Sequence, residues 1–241
     1  KKEKDIKTKT EKRNKRSLGV VIIITTLLCL IISNLSLAVS SYNITEKELV
    51  NSAYTTIYNI IDAVALDVNA TNEKYYSALE ALSQVSLFRD ENNTLRQKTD
   101  WLNEISAVNK LFMNIMFVGK DGKAIDEVGN IRDDSLAPYF VSSMAGKRAI
   151  QDPALYGTTM LMIYSVPVYG FDSEVCGILA GIVDAKVLTD SVESISVGNG
   201  NHPFLINMAN GVVVADVAYE NVKNSANVVK PNFILIDLFF I

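Results

Sequence analysis

Four side chains in the second half of the chain are of types that together hold a small molecule: Tyr139, Tyr156, Tyr164 and Asp184. Aromatic walls with one or two aimed polar groups are what a small-ligand cleft needs, and a carboxylate facing aromatic rings would hold an organic cation. Each has an ordinary alternative. Asp184 directly precedes the helical stretch Ala185-Lys-Val-Leu188 and would serve there as an N-cap, while a tyrosine on a strand or helix is commonly a half-buried packing residue. Arg132, beside Asp133 and Asp134, reads as a solvated turn. Catalytic chemistry has little to draw on. His202 is the single histidine and sits in a Gly/Asn loop before Pro203, with no cysteine or second histidine nearby to complete a metal set. There is no Gly-x-Ser-x-Gly elbow, no Walker loop and no Gly-x-Gly-x-x-Gly fingerprint. The expectation is a binding protein and not an enzyme, with no cofactor and no metal.

The charge layout says where such a cleft would face. The 241 residues carry a net charge of −4, which averages opposite regions. Residues 1–16 hold nine basic and three acidic side chains, residues 17–40 hold none, and the remainder holds fourteen basic and twenty-four acidic ones. The run from Leu18 to Ile32, extended by a weaker stretch to Val39, exceeds the ~20 apolar residues that cross a bilayer as a helix. Its β-branched residues are tolerated there, because in lipid the backbone must satisfy its own hydrogen bonds. The basic block precedes the stripe and has no counterpart after it, so the N-terminus is expected in the cytoplasm and the main domain outside. The alternative is a cleaved signal peptide ending at Ala38-Val39-Ser40, although such a peptide needs only ~7–15 apolar residues. Either way the rest is exported. The basic block is better explained by topology and anionic lipid than by nucleic acid. Cys29 in the stripe and Cys176 in an expected strand outside it cannot pair, and each reads as a small hydrophobe.

The exported part begins with helices. Thr45-Glu-Lys-Glu48 has the pattern of a capping box. After it Val50, Tyr54, Ile57, Ile61, Val64 and Val68 recur at three-to-four spacing, the pattern of a long amphipathic stalk helix. A shorter helix follows through Trp101, Leu102, Ile105 and Val108, so that residues 41–111 form a stalk and helical region. From Phe112 the period changes. Asp121-Gly122 between apolar runs signals a hairpin, Leu136–Ala145 a short helix, and Thr158–Val168 with Glu174–Val183 a central antiparallel pair. A helix from Ala185 ends this module, residues 112–196. In residues 197–241, a Gly/Asn loop and a hairpin around Asn210-Gly211 repeat the opening weakly, as a second, truncated module. The apolar run Phe233–Ile241 is too short to span a bilayer, and the chain lacks an initiating Met, so a fragment is expected at both ends. The fold class is α/β, in the α+β sense, with antiparallel sheet modules.

This order of basic tail, membrane helix, stalk and two sheet modules resembles the double Cache sensor domain of bacterial transmembrane receptors. The resemblance covers residues 17 to 217. It rests on Leu136-Ala-Pro-Tyr-Phe-Val-Ser-Ser-Met-Ala-Gly146, Val166-Pro-Val168, Val175-Cys-Gly-Ile-Leu-Ala-Gly-Ile-Val-Asp-Ala-Lys-Val-Leu188, and Gly198-Asn-Gly-Asn-His-Pro-Phe-Leu-Ile-Asn207 with Gly211. It implies a PAS-like module with a ligand pocket far from the membrane, a second membrane helix and a cytoplasmic output domain, often a methyl-accepting chemotaxis region. The chain departs from members that bind amino acids. Where they carry Arg-x-Trp-aromatic it has Ala137-Pro138-Tyr139-Phe140, and position 182 is Ile where they often place an Asp for the ligand ammonium. His202-Pro203 departs from the commoner Gly-aromatic pair.

The function expected is extracytoplasmic sensing of a small molecule by a membrane-anchored chemoreceptor. Stalks would pair in a homodimer, since the apolar stripe from Thr45 to Val68 otherwise faces water. The alternatives are the sensor of a histidine kinase or diguanylate cyclase, or a membrane-anchored surface or adhesion protein without a signalling role.

Overall fold

The computed structural model describes residues 2–126, 128–195 and 202–225. They fall into two compact units, divided between Tyr58 and Asn59.

Over its described residues the first unit is a single helix. Helix α1 is assigned over Lys2–Ser83, and its part up to Tyr58 makes up this unit. The apolar side chains from Leu18 to Val39 are all exposed, and the helix is long and apolar enough to cross a membrane. Thr25, Thr26, Ser33 and Asn34 turn back on their own backbone. Thr25 donates to the Val21 carbonyl at 2.8 Å, Ser33 to Leu30 at 3.1 Å and Asn34 to Leu30 at 2.7 Å. Such internal satisfaction is what a hydrocarbon surrounding demands. The helix runs straight through Thr45, so the expected capping box does not form there. A capping box does form at Thr94, whose hydroxyl accepts the Gln97 amide while the Gln97 side chain accepts the Thr94 amide.

In the second unit, the residues of α1 from Asn59 onward lead into α2 (Ser86–Arg89) and α3 (Leu95–Val108). Then come β1 (Asn114–Gly119), β2 (Lys123–Ile125), β3 (Ile131–Asp133), α4 (Pro138–Met144), β4 (Ala149–Tyr156), β5 (Thr159–Tyr169), β6 (Val175–Asp184) and α5 (Lys186–Glu193). A short ribbon, β7 (Leu205–Ile206) with β8 (Val213–Ala215), precedes α6 (Tyr219–Lys223). The main sheet is antiparallel, in the order β1-β6-β5-β4. Its centre is the expected hairpin of β5 and β6. The turn at Asp121-Gly122 also forms: Gly122 has φ +78° and its amide reaches the Gly119 carbonyl at 2.9 Å. The strands it separates do not pair, however. β2 pairs instead with β3, so the Asp-Gly turn leads out of the main sheet and into a separate two-stranded wall. Strand β4 is absent from the sequence reading, because Asp152-Pro153 interrupts it with a bulge.

Both sheet faces are covered. On one, Val64, Val68, Tyr75 and Leu79 of α1 and Leu102 of α3 pack on Phe117, Tyr164, Val166 and Leu179. The helix approaches closely because β6 carries glycine. A Cβ on Gly181 would lie 2.5 Å from the Phe112 ring and 3.2 Å from Leu79. On the other face a smaller cluster joins Met116, Val118, Ala124, Tyr139, Phe140, Ile163, Ile178 and Ala180. The β7–β8 ribbon shares the larger core through Leu205, Ile206, Val213 and Ala215. Its turn is tied to the β4 bulge, where Asp152 accepts the side-chain amides of Asn207 at 2.6 Å and Asn210 at 3.3 Å. The loop at 198–201 and the run Phe233–Ile241 lie outside the described residues.

Candidate ligand-binding site

A cavity of about 320 Å³ opens on the sheet face away from α1, in the size range of small-ligand sites. Its floor follows from strand register. Asn114 of β1 lies opposite Ile182 of β6, Ile182 opposite Ile163 of β5, and Ile163 opposite Gln151 of β4. Residues directly opposite share a face of a sheet, and all four line the cavity. Met116, Leu161, Ala154 and Tyr156 extend the floor, and the β2–β3 wall adds Ala124, Ile125, Asp126, Val128 and Arg132.

Arg132 is the cation of the described lining. Its Nε lies 2.8 and 3.0 Å from the two carboxylate oxygens of Asp134, and its Nη2 lies 2.7 Å from one of them. Nη2 also donates to the Tyr139 hydroxyl at 3.2 Å and lies 3.4 Å from the Met116 sulfur. Asp134 is buried, so the pair is a fixed fork and not a mobile surface contact. These hydrogen bonds hold the guanidinium charged, well above its ordinary range. Burial, then the neighbouring Asp134 carboxylate, pushes the Tyr139 hydroxyl well above the usual phenol range. Arg132 is therefore not the solvated turn expected from its neighbours. It is strand-borne, half-exposed and built into the cavity wall.

Asp126 is the carboxylate of the described lining, and its own turn engages it. It accepts the amides of Val128 at 3.0 Å and Asn130 at 2.7 Å, and the Asn130 side chain at 3.3 Å. The Asn130 amide, foremost among these, holds its carboxyl below the usual range.

The four expected site residues are not brought together. Tyr156 lines the cavity. Tyr139 is buried beside it and reaches the lining through Arg132. Tyr164 lies on the other face of the sheet, fully buried. It donates to Asn72 of α1 at 2.7 Å and stacks on Tyr75 with ring centroids 4.8 Å apart. Asp184 shares the cavity face, opposite Leu161, but its carboxylate accepts the Lys186 amide at 2.9 Å at the start of α5. Asp184 stands one residue before the N-cap, Ala185, so it ties down the entry to α5 without being its cap residue. The sequence reading missed Arg132, Gln151 and Ile163. The register of the β5–β6 hairpin would have put Ile163 opposite Ile182, the position where the resemblance places a carboxylate.

Comparison with solved structures accounts for this architecture. The sensory domain of the Campylobacter jejuni chemoreceptor Tlp3 superposes with a TM-score of 0.52 at 16% identity, covering 73% of this chain and 77% of that one. The ligand-binding domain of the Pseudomonas fluorescens chemoreceptor CtaA, in complex with L-serine, gives 0.54 at 14% identity, covering 75% and 77%. The ligand-binding domain of the Pseudomonas aeruginosa amino acid chemoreceptor PctB, in complex with L-Gln, gives 0.55 at 12% identity, covering 71% of each chain. The fold is that of a bacterial chemoreceptor sensory domain. No family model and no curated protein matches the sequence. The sensory-domain fold thus stands on the mixed architecture and these superpositions, and the cavity chemistry is the chain's own.

Proposed function

We propose that this protein is the sensor region of a transmembrane chemoreceptor, and that it detects a small solute in the cavity beneath the β2–β3 wall. The observation that carries the reading is the row Asn114, Ile182, Ile163 and Gln151, which floors a concave, largely apolar cavity on one face of a sheet whose other face carries α1. A solute that favours one arrangement of strand and wall over another biases the packing behind it, and differential affinity is all that signalling requires. No catalysis is involved. Residues 17–40 anchor the chain, with the basic block on the cytoplasmic side and the sensor outside. Leu49, Val50, Tyr54 and Tyr58 are exposed on α1, and a second copy covers them in a homodimer.

The test is a thermal-shift screen of small metabolites on the full chain in detergent, since a ligand that binds only the folded state raises its melting temperature. Ala154→Phe fills the cavity from β4. A hit should shift the parent and leave this variant unmoved at an unchanged ligand-free melting temperature. Equal shifts in both would remove the cavity from the reading.

A further inference from the structure

We propose that the cavity takes a small carboxylic acid with a short aliphatic body and no ammonium group. The inference rests on the sensor reading above and adds the ligand class.

Three observations converge. First, the cation in the described lining is held for recognition. Asp134 fixes the guanidinium of Arg132 through Nε and Nη2, while Nη1 has no hydrogen-bond partner among the described residues. A planar guanidinium edge offers a carboxylate charge-assisted donors at fixed angles. Second, the carboxylates on this face, among the described residues, are already turned to donors of their own turns. Both oxygens of Asp126 are engaged by its turn, and Asp184 is turned to the Lys186 amide. The floor beneath the ligand is Ile182 and Ile163, where a desolvated ammonium would lose its water without replacement. Third, Met116, Leu161 and Ala154 continue that apolar floor, in a volume of about 320 Å³ that suits a short branched chain. Gln151 adds a polar group at the end of the Ile163 row, suited to an oxo or hydroxyl substituent.

A series with one aliphatic body and different head groups tests the proposal. Isovalerate, 4-methyl-2-oxopentanoate, leucine, isoamylamine and isoamyl alcohol are titrated calorimetrically into the detergent-solubilised full chain, against matched micelle blanks. The two acids should bind, with leucine, the amine and the alcohol at least tenfold weaker. Leucine or isoamylamine binding as tightly as the acids would overturn the ligand class and leave the cavity reading standing. The alcohol matching the acids would do the same, by removing Arg132 from recognition. Silence across the whole series would overturn the ligand class, while the thermal-shift screen with Ala154→Phe still decides the cavity reading. Ile182→Asp puts a carboxylate on the floor without touching the Arg132–Asp134 fork, and should reverse the order in favour of isoamylamine. Acid binding unchanged in Ile182→Asp also overturns the proposal. Arg132→Gln should cost the acids tenfold or more, and Arg132→Lys should recover only part of that.

Discussion

Ile163 and Tyr164 are neighbours on β5 and face opposite sides of the sheet. Ile163 lines the cavity, and Tyr164 is sealed against α1, with its hydroxyl on Asn72. One peptide bond therefore separates the surface that would feel a ligand from the helix packed behind it. Any shift of β5 along or across the sheet moves both side chains together, because cores this dense do not deform continuously.

Tyr164→Phe separates the two faces experimentally. It removes a buried hydrogen bond and leaves Asn72 without its donor, so it should cost about 1 kcal/mol in denaturant unfolding. Cavity ligands should bind as before, and so they should in Asp184→Ala. The alkaline limb gives a second readout. Burial, the leading cause, raises the Tyr164 hydroxyl well above the ordinary phenol value. The neutral form is then favoured in the folded state, so its contribution is complete below about pH 10 and is lost as the pH climbs beyond it. The variant should lose less stability than the parent above pH 10. A ligand response lost in Tyr164→Phe would place that side chain in recognition after all.

Gly181 sets how near α1 and Phe112 come to the sheet. With a Cβ there 2.5 Å from the Phe112 ring, Gly181→Ala must push the ring or the strand aside. Overpacking of this kind costs about 1–3 kcal/mol. Pairing it with Phe112→Leu should recover part of the loss, whereas additive losses would show that the two positions do not compete for space.

Several elements were legible in the sequence because local rules decided them. The uncharged stripe, the β5–β6 hairpin and α5 follow from apolar runs and turn residues. The site was less legible. β5 and β6 are apolar on both faces, so alternation alone cannot say which face meets the helix, and Tyr164 looks as fit for a pocket as Ile163. Arg132 was hidden by its acidic neighbours: only the pairing of β2 with β3 shows that Asp134 is its clamp and not a solvated companion. The Asp121-Gly122 turn is legible as a turn, but the strand that pairs with β2 is β3, further along the chain, at a distance that no local signal encodes.

Arg148 is a further long-range pairing, and its strength can be measured. It stands just before β4 and grips two carboxylates on α1, Glu73 at 2.8 and 2.9 Å and Glu80 at 2.6 and 2.8 Å, with its guanidinium carbon 5.2 Å from the Tyr76 ring centroid. All three charged side chains are partly exposed, so the Coulomb gain is modest. Arg148→Ala should cost about 1 kcal/mol at low salt, and the cost should shrink toward that of the lost Tyr76 contact in 1 M salt, where the Debye length is ~3 Å. A cost independent of salt would assign the effect to packing alone.

Lys98 carries the last prediction. It is buried at 4% exposure, donates to the Phe88 carbonyl at 3.0 Å and lies 4.4 Å from the Phe117 ring centroid. Loss of hydration is the leading effect and lowers its pKa below the ordinary lysine value. Between that lowered value and the ordinary ~10.4 the unfolded chain binds more protons than the folded one, so stability rises with pH across the window. Cys176 shares the Phe88 carbonyl at 3.6 Å, and burial raises its thiol pKa. A raised thiol gives the opposite slope, because its contribution is lost as the pH passes the ordinary cysteine value of about 8.5. The comparison therefore belongs in a Cys176→Ala background. There, unfolding free energy measured upward from pH 7 should rise as Lys98 deprotonates, and Lys98→Met should flatten the rise. Identical pH profiles with lysine and methionine at position 98 would mean that the ammonium keeps its water in the folded protein.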